Sequence, residues 1–304
     1  MSHHRFGDLI LESQIPLPAL PLSSPDRADL RFRLRDGGRP AEDRWDHHWR
    51  YPDGSVSLSC RRDARGYRLG FPGLATFAIA GDGLEIDCLP ERRLSPRTVE
   101  HLLIDQVLPR VLTHRGRLVL HAGAVALDGG AVLFLGGSGA GKSTLCASLA
   151  RAGAALLGDD GVWLRLGSGG FEAEATYPGL RLRAEPLSRH FGDPGAFTAV
   201  SDETDKRRVP AADTSRGPLP LRRLYVLEHG SEIRVEPLRG AAAFIALVSG
   251  AFQLHLDDPA RSQGMFEQVG ALLEAVAVRT LAYPRDYDRL PDCLLYTSPS
   301  PRDS

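Results

Sequence analysis

From about Ala28 to Pro90 short alternating runs of apolar and polar residues are separated by Gly and Asp turns: SVSLSC after PDG, then YRLGF, ATFAIA, GDG and LEIDCL. Period-two alternation bounded by turn residues predicts strands, and together they predict a small antiparallel β-rich domain over 28–93. Ahead of it, PLPALPLSSP is Pro-rich and reads as extended chain, so residues 1–27 are expected to be a lead-in or linker. After it, Ser95 and Pro96 supply an N-cap and a first-turn proline for a helix through RTVEHLLIDQVLPRVLTHRG, with Leu102, Leu103, Gln106 and Val107 near one face. Pro109 is expected to kink or break that helix.

Two β-rich runs follow, RLVLHAGAVAL and GAVLFLGG, joined at Asp128-Gly129-Gly130 by a connection of the hairpin type. The second run feeds GGSGAGKS. Beyond it KSTLCASLARAG reads as a helix ended by Gly153, AALLG as a short buried strand ending in Asp159 and Asp160, and GVWLRLG as another strand before a GSGG turn. A polar, turn-rich stretch, HFGDPGAFTAVSDETDKRRVPAADTSRGPLP, interrupts the β pattern and is a candidate active-site loop. The pattern resumes with LRRLYVLE and EIRVEPL, a helical GAAAFIALVSGAF, GMFEQVGALLEAVAV and a strand-like RTLAYP, which makes 94–292 one α/β domain. The last residues, CLLYTSPSPRDS, follow no period; 293–304 is expected to be a non-native or disordered tail, with the natural end lost beyond Asp292. No internal repeat is visible.

With 304 residues and 42% apolar content the chain can bury one large core or two smaller ones without disulfides or metals. Its 37 Lys and Arg nearly cancel 38 Asp and Glu, which removes any bulk electrostatic case for nucleic acid or an acidic membrane as partner. Cys60, Cys88, Cys146 and Cys293 are scattered with no short spacing, so neither a zinc cage nor a redox pair is indicated, and reduced thiols in the cytoplasm fit best. The start lacks an uninterrupted apolar core after a basic segment, and no stretch approaches the ~20 apolar residues that span a bilayer. A soluble cytoplasmic protein is expected.

Gly136 to Ser143 satisfies G-x-x-x-x-G-K-[ST], with an apolar strand before it and a helical pattern after it. In such a P-loop the glycines let successive N–H groups face phosphates, so Gly136, Gly137, Ser138, Gly139, Ala140, Gly141, Lys142, Ser143 and Thr144 are the candidate ATP contacts. Lys142 would neutralise β/γ oxygens, Ser143 would hold Mg²⁺, and Thr144 is a candidate α-phosphate contact. Of Asp159 and Asp160, beside the loop, one carboxylate can hold the Mg²⁺ shell and the other act on a nucleophile. His121, in the strand antiparallel to the one entering the loop, can orient a catalytic carboxylate or tune its pKa. Lys206 and Arg207, in the cationic cluster DKRRVP of the long loop, are candidate contacts to the transferring phosphate or to an acidic acceptor.

Taken in order, LHAGAVALDGGAVLFLGGSGAGKSTLCASLARAGAALLGDD resembles the catalytic domain of HPr kinase/phosphorylase and related bacterial serine kinases over roughly Leu118 to Leu166. His121-Ala122, Asp128 to Gly130, Gly136 to Ser143 and Asp159-Asp160 fill that family's positions at similar spacing. The resemblance implies an α/β P-loop nucleotide-binding domain with a mixed sheet, and phosphoryl transfer from ATP and Mg²⁺ to a serine hydroxyl on a peptide or protein. It implies Asp159 as general base, His121 as its partner and Asp160 as a metal-shell acid. Thr144 stands where HPr kinases often carry glutamate, and their downstream Glu-[IV]-Arg-Gly signature is missing, so neither HPr as substrate nor the phosphorylase direction is implied. Related HPr kinases form hexamers; homo-oligomerisation of this chain is left open.

Three rivals follow from the same loop. A transport-type ATPase would need an LSGGQ element opening a helix, whereas LGSGGF follows too soon and leads into a non-helical EAEATY. A non-catalytic ATP-binding regulatory module would bind without turnover, and a small-molecule kinase would have a closed polar acceptor pocket in place of an open groove.

Overall fold

The computed structural model describes residues 1–24, 27–36, 44–51, 53–211, 217–254 and 259–293, apart from the side chain of Arg261. Of the expected tail 293–304, Cys293 is described and buried in the core, contrary to that expectation, while 294–304 and the stretch 212–216 of the long loop lie outside the described residues. The chain is mixed α/β and divides into two units: Met1–Gly116 with Ser201–Glu203 and Gln253–Ser262, and Arg117–Val200 with Thr204–Phe252 and Gln263–Ser304.

Among the described residues, eight strands of the first unit form one sheet: β1 (Ser2–Phe6), β2 (Leu9–Ser13), β3 (Leu30–Leu34), β4 (His47–Arg50), β5 (Val56–Asp63), β6 (Gly66–Phe71), β7 (Ala75–Ala80) and β8 (Glu85–Pro90). Their order is β1-β2-β3-β8-β7-β6-β5-β4. Two features differ from the sequence expectation. Residues 2–13, read as lead-in, are a hairpin turning at Gly7 (φ 62°), because Phe6, Leu9 and Leu11 alternate into the core. The sheet is also mixed rather than antiparallel: β3 runs parallel to both β2 and β8, since the Pro-rich connection carries the chain back to the same end before pairing resumes.

The predicted helix is α1 (Pro96–Leu102), a π turn at Leu103–Val107 and α2 (Leu108–His114), with Ser95 accepting from the Thr98 N–H as N-cap. The break precedes Pro109. A proline there lacks the N–H for its own turn and crowds the carbonyl four residues back, and the wider π turn absorbs both effects.

In the second unit nine strands form a mixed sheet among the described residues: β9 (Leu118–Leu120), β10 (Ala122–Leu127), β11 (Gly130–Leu135), β12 (Ala155–Gly158), β13 (Val162–Gly167), β14 (Gly170–Ala175), and, after a separate antiparallel pair of β15 (Gly179–Leu182) and β16 (Arg207–Pro210), β17 (Leu219–His229), β18 (Arg234–Pro237) and β19 (Val278–Tyr283). The β10–β11 hairpin closes through Asp128 and Gly129, both at positive φ (48° and 75°), the turn that strand twist favours. Strand β11 pairs antiparallel with β10 and parallel with β17, and every one of its residues is buried. Its odd side chains (Ala131, Leu133, Leu135) pack with α5 (Gly240–Gly250) and α6 (Pro259–Ala275), while Val132 and Phe134 pack with α3 (Lys142–Arg151) and α4 (Ala184–Phe191). A central strand buried on both faces explains the unbroken apolar run VLFL. Among the described residues no helix is long and apolar enough to cross a membrane.

All four cysteines are buried free thiols. Burial pushes Cys60 and Cys88 up to about 12 and Cys293 up to about 11, and raises Cys146 well above the ordinary range. With so little thiolate and no access, the native protein should resist iodoacetamide at pH 8 and take up four equivalents once unfolded in guanidinium. Mass measurement of the labelled chain checks this.

Candidate functional site

The loop leaves the buried strand β11 at Gly136 and enters α3 at Lys142. At Gly136 (φ 156°) a Cβ would meet the Ala140 Cβ at 2.8 Å; at Gly141 (φ 96°) it would meet the Tyr283 hydroxyl at 2.6 Å. Both positions therefore require glycine. Gly141 is also the N-cap of α3, and no side chain caps the helix, so its first-turn N–H groups face out of the loop. Gly137, Ser138 and Gly139 form the exposed tip, while Ser143 and Thr144 are half-buried in the first turn. Lys142 is only 6% exposed, and its Nζ donates to the carbonyls of Gly136 (2.8 Å) and Gly137 (3.4 Å). Burial lowers its pKa, and the charges of Asp160 and Asp159 oppose that shift.

Sheet register places the acidic pair. Strand β12 ends at Gly158 opposite Ala124, and β13 begins at Val162 opposite Leu120, so residues 159–161 span the step at 121–123 between β9 and β10. At that step the His121 N–H donates to Gly250 O (2.7 Å), and its Nε2 lies 3.2 Å from Asp160 Oδ1. The expected partnership of His121 with Asp159 is therefore corrected to Asp160. The cause is backbone conformation: the Gly161 N–H bonds back to Asp159 O (2.8 Å) around Asp160, which sits at φ 64°. This tight turn sends the two neighbouring carboxylates to different surroundings, and a non-glycine residue held there is a strained position of the kind found at functional sites.

Asp159 is fully buried, its Oδ2 accepting from the Arg181 N–H at 3.4 Å and its Oδ1 without a hydrogen-bond partner among the described residues. Burial and then the charge of Asp160 raise its pKa, and the Ser143 side chain, Lys206 and Arg181 offset part of this. For Asp160 burial also works upward, but the His121 bond, Lys206 and Arg181 outweigh it and hold this carboxyl well below the usual range. Asp160 keeps 18% of its side chain exposed and His121 39%, so the dyad is open at its edge.

Arg181 was not singled out by sequence. It is 1% exposed, with Nη1 3.6 Å from Asp160 Oδ2 and its guanidinium 4.0 Å from the centre of the Tyr177 ring. The one signal for it was an arginine inside the otherwise apolar run GLRL. Lys206 precedes β16, and its charge acts on both aspartates; Arg207 opens β16 opposite Leu182. The structure thus brings together Lys142, Ser143, Asp159, Asp160, His121 and Lys206.

Among the described residues no group of three or more His, Cys, Asp or Glu side chains could hold a metal ion. Asp159, with its Oδ1 lacking a partner among the described residues and the Ser143 side chain near its carboxyl group, does fit a Mg²⁺ that draws its remaining oxygens from phosphate and water. On this geometry Asp159, rather than Asp160, stands with Ser143.

Gly158 fixes where the pair begins. A Cβ there would lie 2.4 Å from both the Ala175 Cβ and the Tyr177 carbonyl oxygen. Gly158→Ala should cost about 2 kcal/mol by forcing β12 from its neighbours, read as a lower urea midpoint with unchanged slope.

No family model matches the chain, and no curated protein matches it. Among solved structures the chain is similar to the HPr(Ser) kinase/phosphatase from Coxiella burnetii, at 14% sequence identity and a TM-score of 0.31, over 58% of this chain and 90% of that one. That score is too low to assign a shared fold.

Proposed function

We propose that this chain transfers the γ-phosphoryl group of ATP to a serine hydroxyl of a small protein or peptide. The observation that carries the reading is an uncapped helix start, with Lys142 at its first position, set beside a carboxyl group that is hydrogen-bonded to histidine and partly open to solvent. The loop N–H groups and α3 would hold the phosphates, and Lys142 would leave its two loop carbonyls for β/γ oxygens. Asp160 would take the proton of the acceptor hydroxyl as its oxygen bonds to the γ-phosphorus and the bond to the β-phosphate oxygen breaks, releasing ADP. His121 is then a positioning residue for Asp160. Ser143 and Asp159 would hold Mg²⁺, which when bound supplies charge neutralisation on the phosphates. Lys206, acting on both carboxylates, is suited to the charge that spreads over the transferring group, and Arg207 to an acidic acceptor.

The transporter-type alternative is disfavoured by the segment LGSGGF, which forms the β13–β14 turn instead of opening a helix. The test is to incubate the protein with γ-labelled Mg-ATP and a bacterial lysate, then identify labelled residues by mass spectrometry. Labelled serine on a defined acceptor is expected. Bound ATP with no labelled acceptor would favour a nucleotide-binding regulatory module.

A further inference from the structure

Resting on the reading of residues 136–144 as a phosphate site, we infer that the cavity between this loop and the segment after β19 takes the nucleoside half of the nucleotide, with Tyr287 as the wall for the base. The cavity has a volume of about 320 Å³ and is bounded by the loop at 139–141, by Thr144 on α3, by Glu185 on α4, and by Tyr283, Arg285 and Tyr287. That volume lies at the small end of the range for small-molecule sites.

Two contacts build the cavity onto the loop. The Tyr283 hydroxyl donates to Ala140 O (2.9 Å) and Arg285 Nη2 donates to Gly139 O (3.2 Å), so the far wall is tied to the phosphate-facing backbone. Tyr287 is held from α4, with the Arg189 guanidinium 5.4 Å from its ring centre and the His190 ring edge-on at 5.9 Å. Burial and then the charge of the neighbouring Glu185 raise the Tyr287 hydroxyl above its ordinary range. Thr144 lies in the first turn of α3, where the phosphate chain would pass into the cavity. A held aromatic ring gives a base a stacking surface without selecting its edge, and Glu185 offers an acceptor to ribose hydroxyls.

The experiment is calorimetric titration of the full chain with Mg-ATP and with Mg-tripolyphosphate, which shares the phosphates and lacks the nucleoside. Mg-ATP should bind more tightly. Tyr287→Ala should weaken Mg-ATP about tenfold or more and leave tripolyphosphate unchanged, while Tyr287→Phe, which keeps the ring, should stay near the parent. Equal affinity for both ligands, or a Tyr287→Ala effect that is absent or the same for both, overturns the inference and leaves the phosphate site standing. Failure of both ligands to bind the parent protein overturns the phosphate reading as well.

Discussion

Asp160→Asn should abolish most phosphoryl transfer, by about 10² to 10⁴-fold in kcat, while Mg-ATP affinity stays within a few-fold of the parent. The replacement keeps the volume and still offers an oxygen to His121, but it can no longer take a proton. It also keeps the backbone: asparagine is among the few residues that tolerate the left-handed conformation seen at Asp160 (φ 64°), so folding should survive. The equivalent change at Asp159 should behave differently. That carboxylate is fully buried beside Ser143, so Asp159→Asn should raise the Mg²⁺ concentration needed for half-maximal transfer. A larger loss of metal-saturated kcat from Asp159→Asn than from Asp160→Asn would return the base to Asp159. His121→Ala should give a smaller loss than Asp160→Asn, because it removes the group that orients the base and leaves the base itself.

Lys142→Ala should damage both binding and transfer, with Mg-ATP affinity falling at least about tenfold and kcat by about 10² to 10³. The ammonium is the one side-chain cation inside the loop. It already donates to the carbonyls of Gly136 and Gly137, so it is held where phosphate oxygens would arrive. Its loss also removes a positive charge that faces Asp160 and Asp159. Lys142→Met separates charge from packing: it fills the same buried stem and should lose binding and transfer as the alanine variant does, with a urea midpoint closer to the parent. Titration calorimetry together with initial rates at saturating Mg-ATP reads both effects.

What the sequence could show depended on how local the determining contacts are. The loop, α3, the β10–β11 hairpin and the strand ending at the acidic pair follow from signals within a few residues: Asp-Gly at a turn, glycines at positive φ, an apolar run closed by Gly153. Strands β1 and β2 had their alternation too, in HHRF and LILES, but the adjacent Pro-rich run drew 1–27 into one linker. The parallel pairing of β3 with β8 joins segments far apart in the chain, and no local pattern specifies it.

The site shows the same division. Lys142 and Ser143 are set by the helix that starts on them, so spacing alone locates them. Which aspartate meets His121 is set by one backbone dihedral at Asp160, and aspartate carries no signal for it as a glycine would. Arg181 reaches Asp160 from β15, whose antiparallel partner β16 lies in the stretch that reads as loop. The sequence resemblance orders the two carboxylates along the chain, and the contact that His121 makes is with the second of them, Asp160.

The most direct test is the partition of γ-label from Mg-ATP between serine and free phosphate, in the presence of an acceptor peptide and with Asp160→Asn alongside. Label is expected on serine faster than as inorganic phosphate, and Asp160→Asn is expected to remove it. Label released as phosphate at the same rate with or without acceptor, and unaffected by Asp160→Asn, would contradict this expectation.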